Sequence, residues 1–562
     1  MKKKLIVLIL ASAMMVGTLA ACGGNNAGNA GSAKTSTAAS AADTKTDAAS
    51  DANKRDVGGL KLPLTENGET LHAWIVWNNA KNNDPNQVAS VQEFEKNTGV
   101  HMEWTVVGNN EIAEKMGTML ANGDYPDIVY PGSNGYPGGI KKGVEDGVIY
   151  PDMDKLIREN MLNYMALLDA NDDLKRQATG DDGKLDAVHG VVMYDDVIKG
   201  EPNYIGMVYR ADILEKLGIE MPTTVDEWHD AFKAAKEAGV VTDPFNLFEN
   251  GGSPFSLAFG VDTIGGASGR YVQLENGQIV YGPYKEGFKE YLETMRQWYA
   301  EGLINPNYAS FNFYLDTPGS VEIDQCLAYS YVISNFTGPS YYNMHMVTNE
   351  NVYLQPVLAP VLAEGDETRM SFNHVLAKDP VFVTTSCKTP ELAAQWMDYS
   401  FSKEGSIYNW YGIEGETYTI GSDGTPEFTD AVFGSDTMSP SEYLQQYAMD
   451  QSTWFGLNQM AAGVQLNTRL GGGVNYNQMA AELWDSADVN YALPLLTLTD
   501  EEGTVANRKM TDMQTLVEEY MANYITGGSV EPFEAFQAKL KQYGMDEVLE
   551  IYQGAYERYM NR

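Results

Sequence analysis

The alternation of apolar and amphipathic segments that begins near residue 70 constrains the fold of this chain more than any other feature. Residues 72–77 and 100–107 fit strands, residues 110–122 fit a helix with its apolar side chains on one face, and residues 127–130 fit the next strand. This rhythm predicts parallel βαβ units with right-handed crossovers. Ligands bind such sheets beyond the carboxyl ends of the strands, so the residues after Trp77, Val107 and Tyr130 are the first candidates for a site.

Chain length and composition narrow the class of protein. The chain has 562 residues, which are too many for one compact domain and indicate two or more lobes. Its 77 acidic residues against 38 Lys and Arg give a net charge of -39, which argues against a nucleic-acid binder and against electrostatic adhesion to anionic lipid. Hydrophobic residues make up 43% of the chain, enough for a large core. The 34 Tyr and 9 Trp supply many flat rings.

The first 21 residues have the pattern of a signal peptide. Three lysines at residues 2–4 precede a mostly apolar run at residues 5–16, and small residues follow. The sequence Leu-Ala-Ala-Cys at residues 19–22 resembles a bacterial lipobox. The resemblance implies cleavage before Cys22 and a lipid on its thiol, with palmitate among the acyl groups. The alternative is an ordinary secretory signal followed by an incidental cysteine.

Residues 22–59 are predicted to form a flexible tether. Between residues 23 and 58, Val57 is the only larger aliphatic residue and no aromatic residue occurs, so this segment cannot bury a core. About 36 residues of such coil span roughly 33 Å r.m.s., which would keep the folded part near the outer membrane surface. No second apolar stretch in the sequence reaches the length needed to span a bilayer.

The second half of the sequence continues the mixed pattern of helices and strands. Thr224 with Glu227, and Thr499 with Glu502, fit the capping box that opens a helix. From Thr499 to the end, the sequence is typical of a largely helical segment. The fold class is therefore α/β with a helical C-terminal part.

Signatures of catalysis and metal binding are absent from the sequence. It has no GxSxG, no GxxxxGK[ST], no GxGxxG after a strand, no HExxH and no CxxC. Residues 169–173 begin like a calcium loop, but Leu174 stands where that loop needs Gly and Gly180 where it needs Glu. Cys326 and Cys387 are interpreted as two separate buried thiols, although a disulfide could form if the fold brought them together.

A series of short sequence segments, spread from about Leu71 to Tyr559 over nearly the whole folded part, carries a resemblance to a known family. They are Phe94–Lys96 with Thr98–Val100, Leu120–Ile128, Tyr209–Asp212, Pro222–Glu227, Trp298–Tyr299 with Gly302–Ile304, Pro390–Ala393 with Asp398–Tyr399, Tyr411–Tyr418, and Leu498–Glu502 followed by Tyr524–Gly527. Their order and spacing resemble the family 1 extracellular solute-binding proteins of bacterial ABC importers, in the branch of large lipoproteins that mostly serve carbohydrates. One departure occurs at residues 323–326, Ile-Asp-Gln-Cys, where the family usually has a glycine before a small strand.

The resemblance implies a periplasmic-binding-protein-like fold with two α/β lobes, a hinge, a ligand cleft and a helical C-terminal extension. Lobe one is expected at residues 60–203 and 352–402, and lobe two at residues 204–351 and 403–562. The chain would cross between them near residues 203–207, 352–360 and 403. Ligand would close the hinge, because only the closed state lets both lobes contact it. The protein itself would not be an enzyme.

A sugar ligand needs flat rings against its C–H faces and polar groups around its hydroxyls. Candidate ligand-binding residues are therefore expected at strand ends and cleft loops. In lobe one and near the hinge they are Trp77, Asn78, Asn109, Tyr130, Asn134, Tyr136, Tyr194, Asp195, Asn203 and Tyr204, and in lobe two Tyr331, Asn335, Trp410, Glu414, Trp454 and Arg469. Each has the alternative role of a packed aromatic or a loop-capping polar group, and Glu414 with Glu416 could instead hold the turn at residues 412–415.

The expected function is a lipid-anchored component, on the extracellular face of the bacterial cell membrane, that passes an oligosaccharide to ABC permease subunits. No nucleic acid takes part, and a monomer is expected because a closing cleft needs free lobes. No cofactor is expected, although the surplus carboxylates allow a structural calcium ion. Two alternatives remain: a surface-anchored glycoside hydrolase or lyase, for which no feature selects a catalytic carboxylate pair, and a peptide-binding importer component.

Overall fold

The computed structural model describes residues 54–79, 81–132, 135–194, 197–198, 201–202, 205–264, 271–311, 313–332, 351–372, 374–449, 455–470 and 473–562. The strands are β1 (Arg55–Val57), β2 (Leu60–Leu62), β3 (Thr70–Val76), β4 (His101–Val107), β5 (Ile128–Tyr130), β6 (Val188–Tyr194), β7 (Val197–Ile198), β8 (Glu201–Pro202), β9 (Ile205–Arg210), β10 (Val272–Glu275), β11 (Gln278–Tyr281), β12 (Ala328–Val332), β13 (Leu354–Val357), β14 (Arg369–Met370), β15 (His374–Val375), β16 (Ala377–Val383), β17 (Tyr418–Ile420), β18 (Pro426–Phe428), β19 (Leu457–Gln459) and β20 (Val489–Asn490).

The α-helices are α1 (Ala89–Thr98), α2 (Ile112–Asn122), α3 (Ile140–Glu145), α4 (Met153–Asn160), α5 (Leu162–Ala170), α6 (Asp172–Ala178), α7 (Ala211–Leu217), α8 (Val225–Glu237), α9 (Glu286–Ala300), α10 (Phe313–Glu322), α11 (Pro390–Tyr399), α12 (Lys403–Tyr411), α13 (Asp430–Phe433), α14 (Pro440–Leu444), α15 (Met460–Leu470), α16 (Tyr476–Asp485), α17 (Asp500–Ile525), α18 (Phe533–Tyr543) and α19 (Met545–Met560). Short 3-10 helices lie at Pro85–Gln87, Asn109–Glu111, Pro254–Phe259, Gly282–Tyr284 and Tyr308–Ser310. Both predicted capping boxes are confirmed, at Thr224 before α8 and at Thr499 before α17.

A mixed sheet carries the strand ends that the sequence singled out. Its order is β19-β6-β16-β5-β3-β4, with β7 paired to β6. Strand β3 runs parallel to β4 and β5, and β6 runs parallel to β19, whereas β16 lies antiparallel between β5 and β6. Strands β3, β4, β5, β6 and β19 therefore all end at one side of the sheet, where β16 begins. We call this side the carboxyl edge, and the part built on this sheet the first lobe.

A second sheet, of order β12-β9-β13, forms the centre of the second lobe. Strands β12 and β13 both run antiparallel to β9, so they end where β9 begins. The predicted C-terminal helices pack on this lobe, because Met513, Phe536 and Val548 are buried in its core. That core is rich in rings: Phe255 lies edge-on to Trp298 with centroids 4.9 Å apart. Many of the aromatic side chains are therefore buried in the core and stabilise the fold.

The chain returns from the second lobe later than expected. The prediction placed this crossing at residues 352–360, but residues 354–357 form β13 of the second sheet. Strand β14 then pairs with β20, which keeps the chain in the second lobe until Met370. The crossing itself lies between β14 and β16, where β15 pairs with β8 of the first crossing. Two antiparallel crossing strands thus lie side by side.

The segment from residue 403 to 459 also lies in a different lobe from the one expected. Met449, Phe455 and Leu457 are buried in the core of the first lobe, and β19 adds to the first sheet beside β6. The lobe boundary predicted at residue 403 is therefore wrong, because these apolar side chains are buried in the first lobe. The chain enters the second lobe only between α15 and α16, whose Trp484 packs beside β9 and β13.

The folded part begins before residue 60, within the segment expected to be tether. Strands β1 and β2 form an antiparallel hairpin. Arg55 forms an ion pair with Glu404, and Asn163 Nδ2 donates to the carbonyl of Val57 at 3.2 Å. Residues 55–59 are therefore fixed to the first lobe.

One residue in the stretch 323–326, where the family usually has a glycine, adopts the backbone that glycine favours. Asp324 has φ 55°, a left-handed conformation that Asp tolerates better than most residues. Its Oδ1 lies 2.8 Å from Arg210 Nη1, and Arg210 is 1% exposed. The aspartate thus keeps the turn and adds a second carboxylate to a buried guanidinium that Asp212 already pairs.

The two described cysteines lie in different apolar clusters, and both are free and buried. Burial raises the pKa of Cys326 to about 11 and that of Cys387 to about 12. The interpretation of two separate buried thiols is confirmed. Within the described ranges, no helix combines the length and apolar character needed to cross a membrane.

Candidate ligand-binding site

The loop after β3 is the first part of the carboxyl edge, and its polar groups are tightly organised. Trp77 is 7% exposed, and its Nε1 donates to the carbonyl of Asn82 at 2.8 Å. The buried Asn79 accepts from the backbone N–H of Asn82 at 2.9 Å and donates to the carbonyl of Gln445 at 2.6 Å. This bracing leaves Asn78 exposed at the end of the strand, where a ligand hydroxyl could reach its amide.

A tyrosine and a carboxylate meet at the middle of the edge. Tyr130 is the last residue of β5, and its hydroxyl donates to Asp379 Oδ2 at 3.3 Å. The pairing of β16 with β6 shifts register between Ala377 and Pro380, and Asp379 lies in this irregular stretch. A bulge of this kind redirects side chains that a regular strand would place elsewhere. Asp379 was missed in the sequence, although a proline within a strand is a signal of such irregularity.

Burial determines the charge state around this carboxylate. It raises the pKa of Asp379, and the nearby Lys378, the Tyr130 hydrogen bond and His189 only partly oppose the shift. Burial also lowers the pKa of His189, whose Nδ1 lies 2.6 Å from the carbonyl of Lys378. The imidazole is therefore neutral at pH 7, so it does not neutralise Asp379.

Strand β19 closes the other end of the edge. Asn458 is fully buried and donates to the carbonyl of Val191 at 3.2 Å, and Gln459 donates to Ser406 Oγ at 2.9 Å. Phe455 precedes the strand, and its ring lies 6.4 Å from the ring of Tyr130. Phe455 itself therefore packs beside Tyr130, the residue that meets Asp379.

In the second lobe, a tryptophan supports the start of β9. Trp484 is fully buried, and its Nε1 donates to the carbonyl of Val357 at 2.9 Å. A Cβ atom on Gly206 would lie 2.2 Å from this ring. The glycine is needed for this close approach, which fixes the edge where β9 begins and β12 and β13 end.

Two side-chain amides hold the return crossing from opposite sides. Gln177 of the first lobe accepts from the backbone N–H groups of Leu376 at 2.9 Å and Ala377 at 3.3 Å. Asn490 of the second lobe accepts from the N–H of Phe372 at 3.1 Å and donates to its carbonyl at 2.8 Å. A cavity of about 190 Å³ lies here, lined by Gln177, Phe372, Val375, Asn490, Ala492, Pro494 and Leu495. The return crossing is thus tied to the second lobe at Phe372 and to the first lobe at Leu376 and Ala377.

Eleven of the sixteen predicted site residues fall into three groups. Asn78, Asn109 and Tyr130 lie at the carboxyl edge, where the two asparagines are exposed, whereas Tyr130 is 5% exposed and packs in the core of the first lobe. Tyr194 and Tyr331 end β6 and β12, and only their backbones are described. The candidates that lie outside the described residues are Asn134, Asp195, Asn203, Tyr204, Asn335 and Trp454.

Three further predicted ring platforms are corrected, because their rings are packed as that of Tyr130 is. Trp77 lies in the core of the first lobe, as described above. Tyr136 is 4% exposed, lies edge-on to Phe382 and donates to Asp146 Oδ2 at 3.0 Å. Burial is the main cause that raises the pKa of Tyr136 to about 12. Trp410 is 5% exposed and belongs to a separate apolar cluster.

Two charged candidates have structural neighbours of their own. Arg469 pairs with Asp430 and lies over the ring of Phe433 at 4.0 Å. Glu414 is exposed and does not hold its turn as the alternative role proposed. The turn is organised instead by Thr417, whose hydroxyl donates to the carbonyl of Tyr411 at 2.6 Å.

The stretch that began like a calcium loop is the start of a helix. Asn171 caps α6 by accepting from the N–H of Leu174 at 2.8 Å. Asp169 pairs with Lys175 at 2.8 Å, and Asp173 with Arg176 at 2.7 Å, so their carboxylates face side-chain cations. In the part of the chain that the structure describes, no three His, Cys, Asp or Glu side chains are grouped to hold a metal ion.

Comparison with known proteins identifies the family. Residues 87–407, more than half of the chain, match the family described as bacterial extracellular solute-binding protein. The chain belongs to this family. The resemblance found in the sequence is thereby confirmed.

Relatives of this solute-binding protein extend the comparison. The fructooligosaccharide ABC transporter substrate-binding protein FusA of Streptococcus pneumoniae is 24% identical over 535 residues, covering 89% of this chain and 92% of FusA. Lipoprotein LipO of Bacillus subtilis is 24% identical over 231 residues, covering 39% of this chain and 42% of LipO.

Solved structures confirm the predicted fold class, periplasmic-binding-protein-like α/β. The structure of FusA in complex with kestose superimposes with a TM-score of 0.67 at 20% identity, covering 88% of this chain and 100% of FusA. An ABC-transporter solute-binding protein from Bifidobacterium longum infantis that binds HMO gives a TM-score of 0.69 at 16% identity, covering 88% of this chain and 99% of that protein.

Proposed function

We propose that this solute-binding protein is the substrate-binding component of a bacterial ABC importer, which captures a neutral oligosaccharide between its two lobes and delivers it to the membrane permease. The observation that carries the proposal is the match to FusA along nearly the full length of both chains. FusA is by name a fructooligosaccharide-binding transporter component. A shared family and a shared length together favour a shared type of ligand.

The geometry of the carboxyl edge supports a sugar as the ligand. Asn78 and Asn109 present amide groups at the ends of β3 and β4, and Tyr130 with Asp379 adds a hydroxyl and a carboxylate. Such groups donate to and accept from sugar hydroxyls. The two crossing strands β8 and β15 lie side by side between the lobes, which is where a hinge for closure around a ligand would lie.

The proposal includes an anchor on the outer face of the cell membrane. The family is extracellular by description, and the relative LipO is a lipoprotein by name. Both agree with the lipobox-like sequence that ends at Cys22. We therefore propose that the mature protein begins at a lipid-modified Cys22, acts as a monomer and needs no cofactor, and that it releases its sugar unaltered.

Calorimetric titration of the purified full-length chain in detergent tests the function. The panel contains kestose, nystose, a neutral milk oligosaccharide, an alginate oligomer and a mixture of short peptides. We expect micromolar or tighter binding to at least one neutral oligosaccharide, with the sugar recovered intact. Binding to peptides alone would refute the sugar assignment, and new reducing ends after incubation would show an enzyme.

A further inference from the structure

The half-buried Asp379 differs from Asp398, a fully buried carboxylate of the first lobe, in how far the fold satisfies its hydrogen bonding. Asp398 is fully buried and accepts from the N–H of Tyr164 at 2.9 Å and from both the N–H and the side-chain amide of Asn163 at 3.1 and 2.8 Å. Among the described residues, the hydroxyl of Tyr130 donates the one hydrogen bond that Asp379 receives from another residue, at 3.3 Å. A carboxylate can accept about four hydrogen bonds, so the side chains and backbone of the described residues fill little of the capacity of this half-buried group.

The position of Asp379 explains why this capacity would be left unused. Strand β16 begins at the carboxyl edge, and Asp379 is its third residue. The carboxylate lies beside the hydroxyl of Tyr130, the residue with which β5 ends. Asp398 lies instead in the last turn of α11, a helix that packs against α4 and α5. A partly desolvated carboxylate with few partners is costly in a core, but it is suited to a site where a ligand completes its hydrogen bonds.

The charge around Asp379 favours one class of sugar. The neighbouring His189 is neutral at pH 7, because burial lowers its pKa. An acceptor-only group of negative charge attracts hydroxyl donors and repels a second carboxylate when both are shielded from water. The strongly acidic chain as a whole adds to that repulsion.

We propose that Asp379 is a specificity-determining residue of the ligand site, which accepts hydrogen bonds from saccharide hydroxyls and discriminates against saccharides that carry carboxylates. This inference rests on the proposed oligosaccharide-binding function. The inferred ligands are neutral saccharides, and Asp379 is a main determinant of that specificity.

The test compares Asp379→Asn with Asp398→Asn by titration at pH 7.5 against the neutral oligosaccharide of the panel that binds the wild type and against the alginate oligomer. For D379N we expect about tenfold weaker binding of the neutral sugar, because a charge-assisted hydrogen bond becomes a neutral one. We also expect the ratio of the affinity for the neutral sugar to the affinity for the uronide to fall by more than this, by at least about another tenfold, because the repulsive charge is gone. D398N should lower the melting temperature and leave that preference unchanged.

A second variant keeps the inference testable if D379N does not fold. Asp379→Glu retains the charge but moves it by one methylene, so it should still reject the uronide while it binds the neutral sugar more weakly. Retention of both affinities within twofold in the folded variants would overturn the role of Asp379. A wild type that binds the uronide best would overturn it while the sugar-binding function survives, whereas a wild type that binds no saccharide would refute that function itself.

Discussion

The guanidinium of Arg558 donates from Nε to Asp181 Oδ2 at 2.7 Å, and this contact joins the last helix of the second lobe to the loop after α6 in the first lobe. Arg562 donates to the other oxygen of the same carboxylate from Nε at 2.8 Å. The side chain of Arg562 is 3% exposed and that of Asp181 is 17% exposed. Glu502 pairs with Arg558 at 2.6 Å. A single half-buried carboxylate thus holds two arginines across the two lobes.

Replacement of Asp181 by Asn should destabilise the protein more than loss of an exposed ion pair does. It would leave the buried Arg562 without a charged partner, and breaking such a pair typically costs about 3 kcal/mol in the free energy of unfolding. The control is Glu531→Gln, which removes the partner of Lys539 within the second lobe, where the lysine side chain is 47% exposed. Urea denaturation of the three proteins measures both effects, and equal losses for the two variants would contradict the importance of Asp181.

The contribution of Asp181 should disappear in acid. Burial alone would raise the pKa of this carboxyl, but the hydrogen bonds from Arg558 and Arg562 outweigh it and the pKa is lowered. The stabilisation is therefore fully present above the ordinary carboxyl pKa of about 4 and is lost as pH falls through the lower folded-state value. The difference in unfolding free energy between wild type and D181N should be constant from about pH 5 to 7 and should shrink below about pH 4. A difference that stays constant down to pH 2 would exclude this origin.

Replacement of Gly206 by Ala should destabilise the second lobe by overpacking. The added Cβ would lie 2.2 Å from the ring of Trp484, which is fully buried and bonded to Val357. Inserting a methyl group into such a site typically costs about 1 to 3 kcal/mol. The matched control is Gly319→Ala in α10, because a Cβ there meets no atom within 4 Å, and alanine favours a helix by about 1 kcal/mol over glycine. Thermal denaturation should therefore shift in opposite directions for the two variants.

Local features of this fold could be predicted from the sequence, because they depend on neighbouring residues. The capping box of Thr224 and Glu227 needs only a hydroxyl and a carboxylate three positions apart. Short apolar runs likewise predict strands that end near Trp77 and at Tyr130, and the structure has both strand ends at the carboxyl edge.

The parts that could not be predicted depend on distant contacts. The ring of Trp77 bonds to Asn82, and its neighbour Asn79 is tied to the distant Gln445; no local pattern separates such a ring from an exposed one. Phe455 joins the first lobe through packing against Trp396, with ring centroids 6.2 Å apart. Asp379 reaches Tyr130 only because β16 changes register beside β6. Each of these depends on which strands are neighbours.

Substitution of Asp324 tests whether the turn at residues 323–326 requires the left-handed backbone that this residue adopts. Asp324→Ala should be less stable than Asp324→Gly, because alanine pays about 1 kcal/mol for the left-handed backbone at φ 55° and glycine pays almost none. Both variants lose the contact with Arg210, and Asp212 still pairs with that guanidinium, so neither should unfold the lobe. Urea denaturation measures the difference in unfolding free energy between the two variants, which reports the cost of the left-handed backbone. An alanine variant more stable than the glycine variant would show that the turn does not require this conformation.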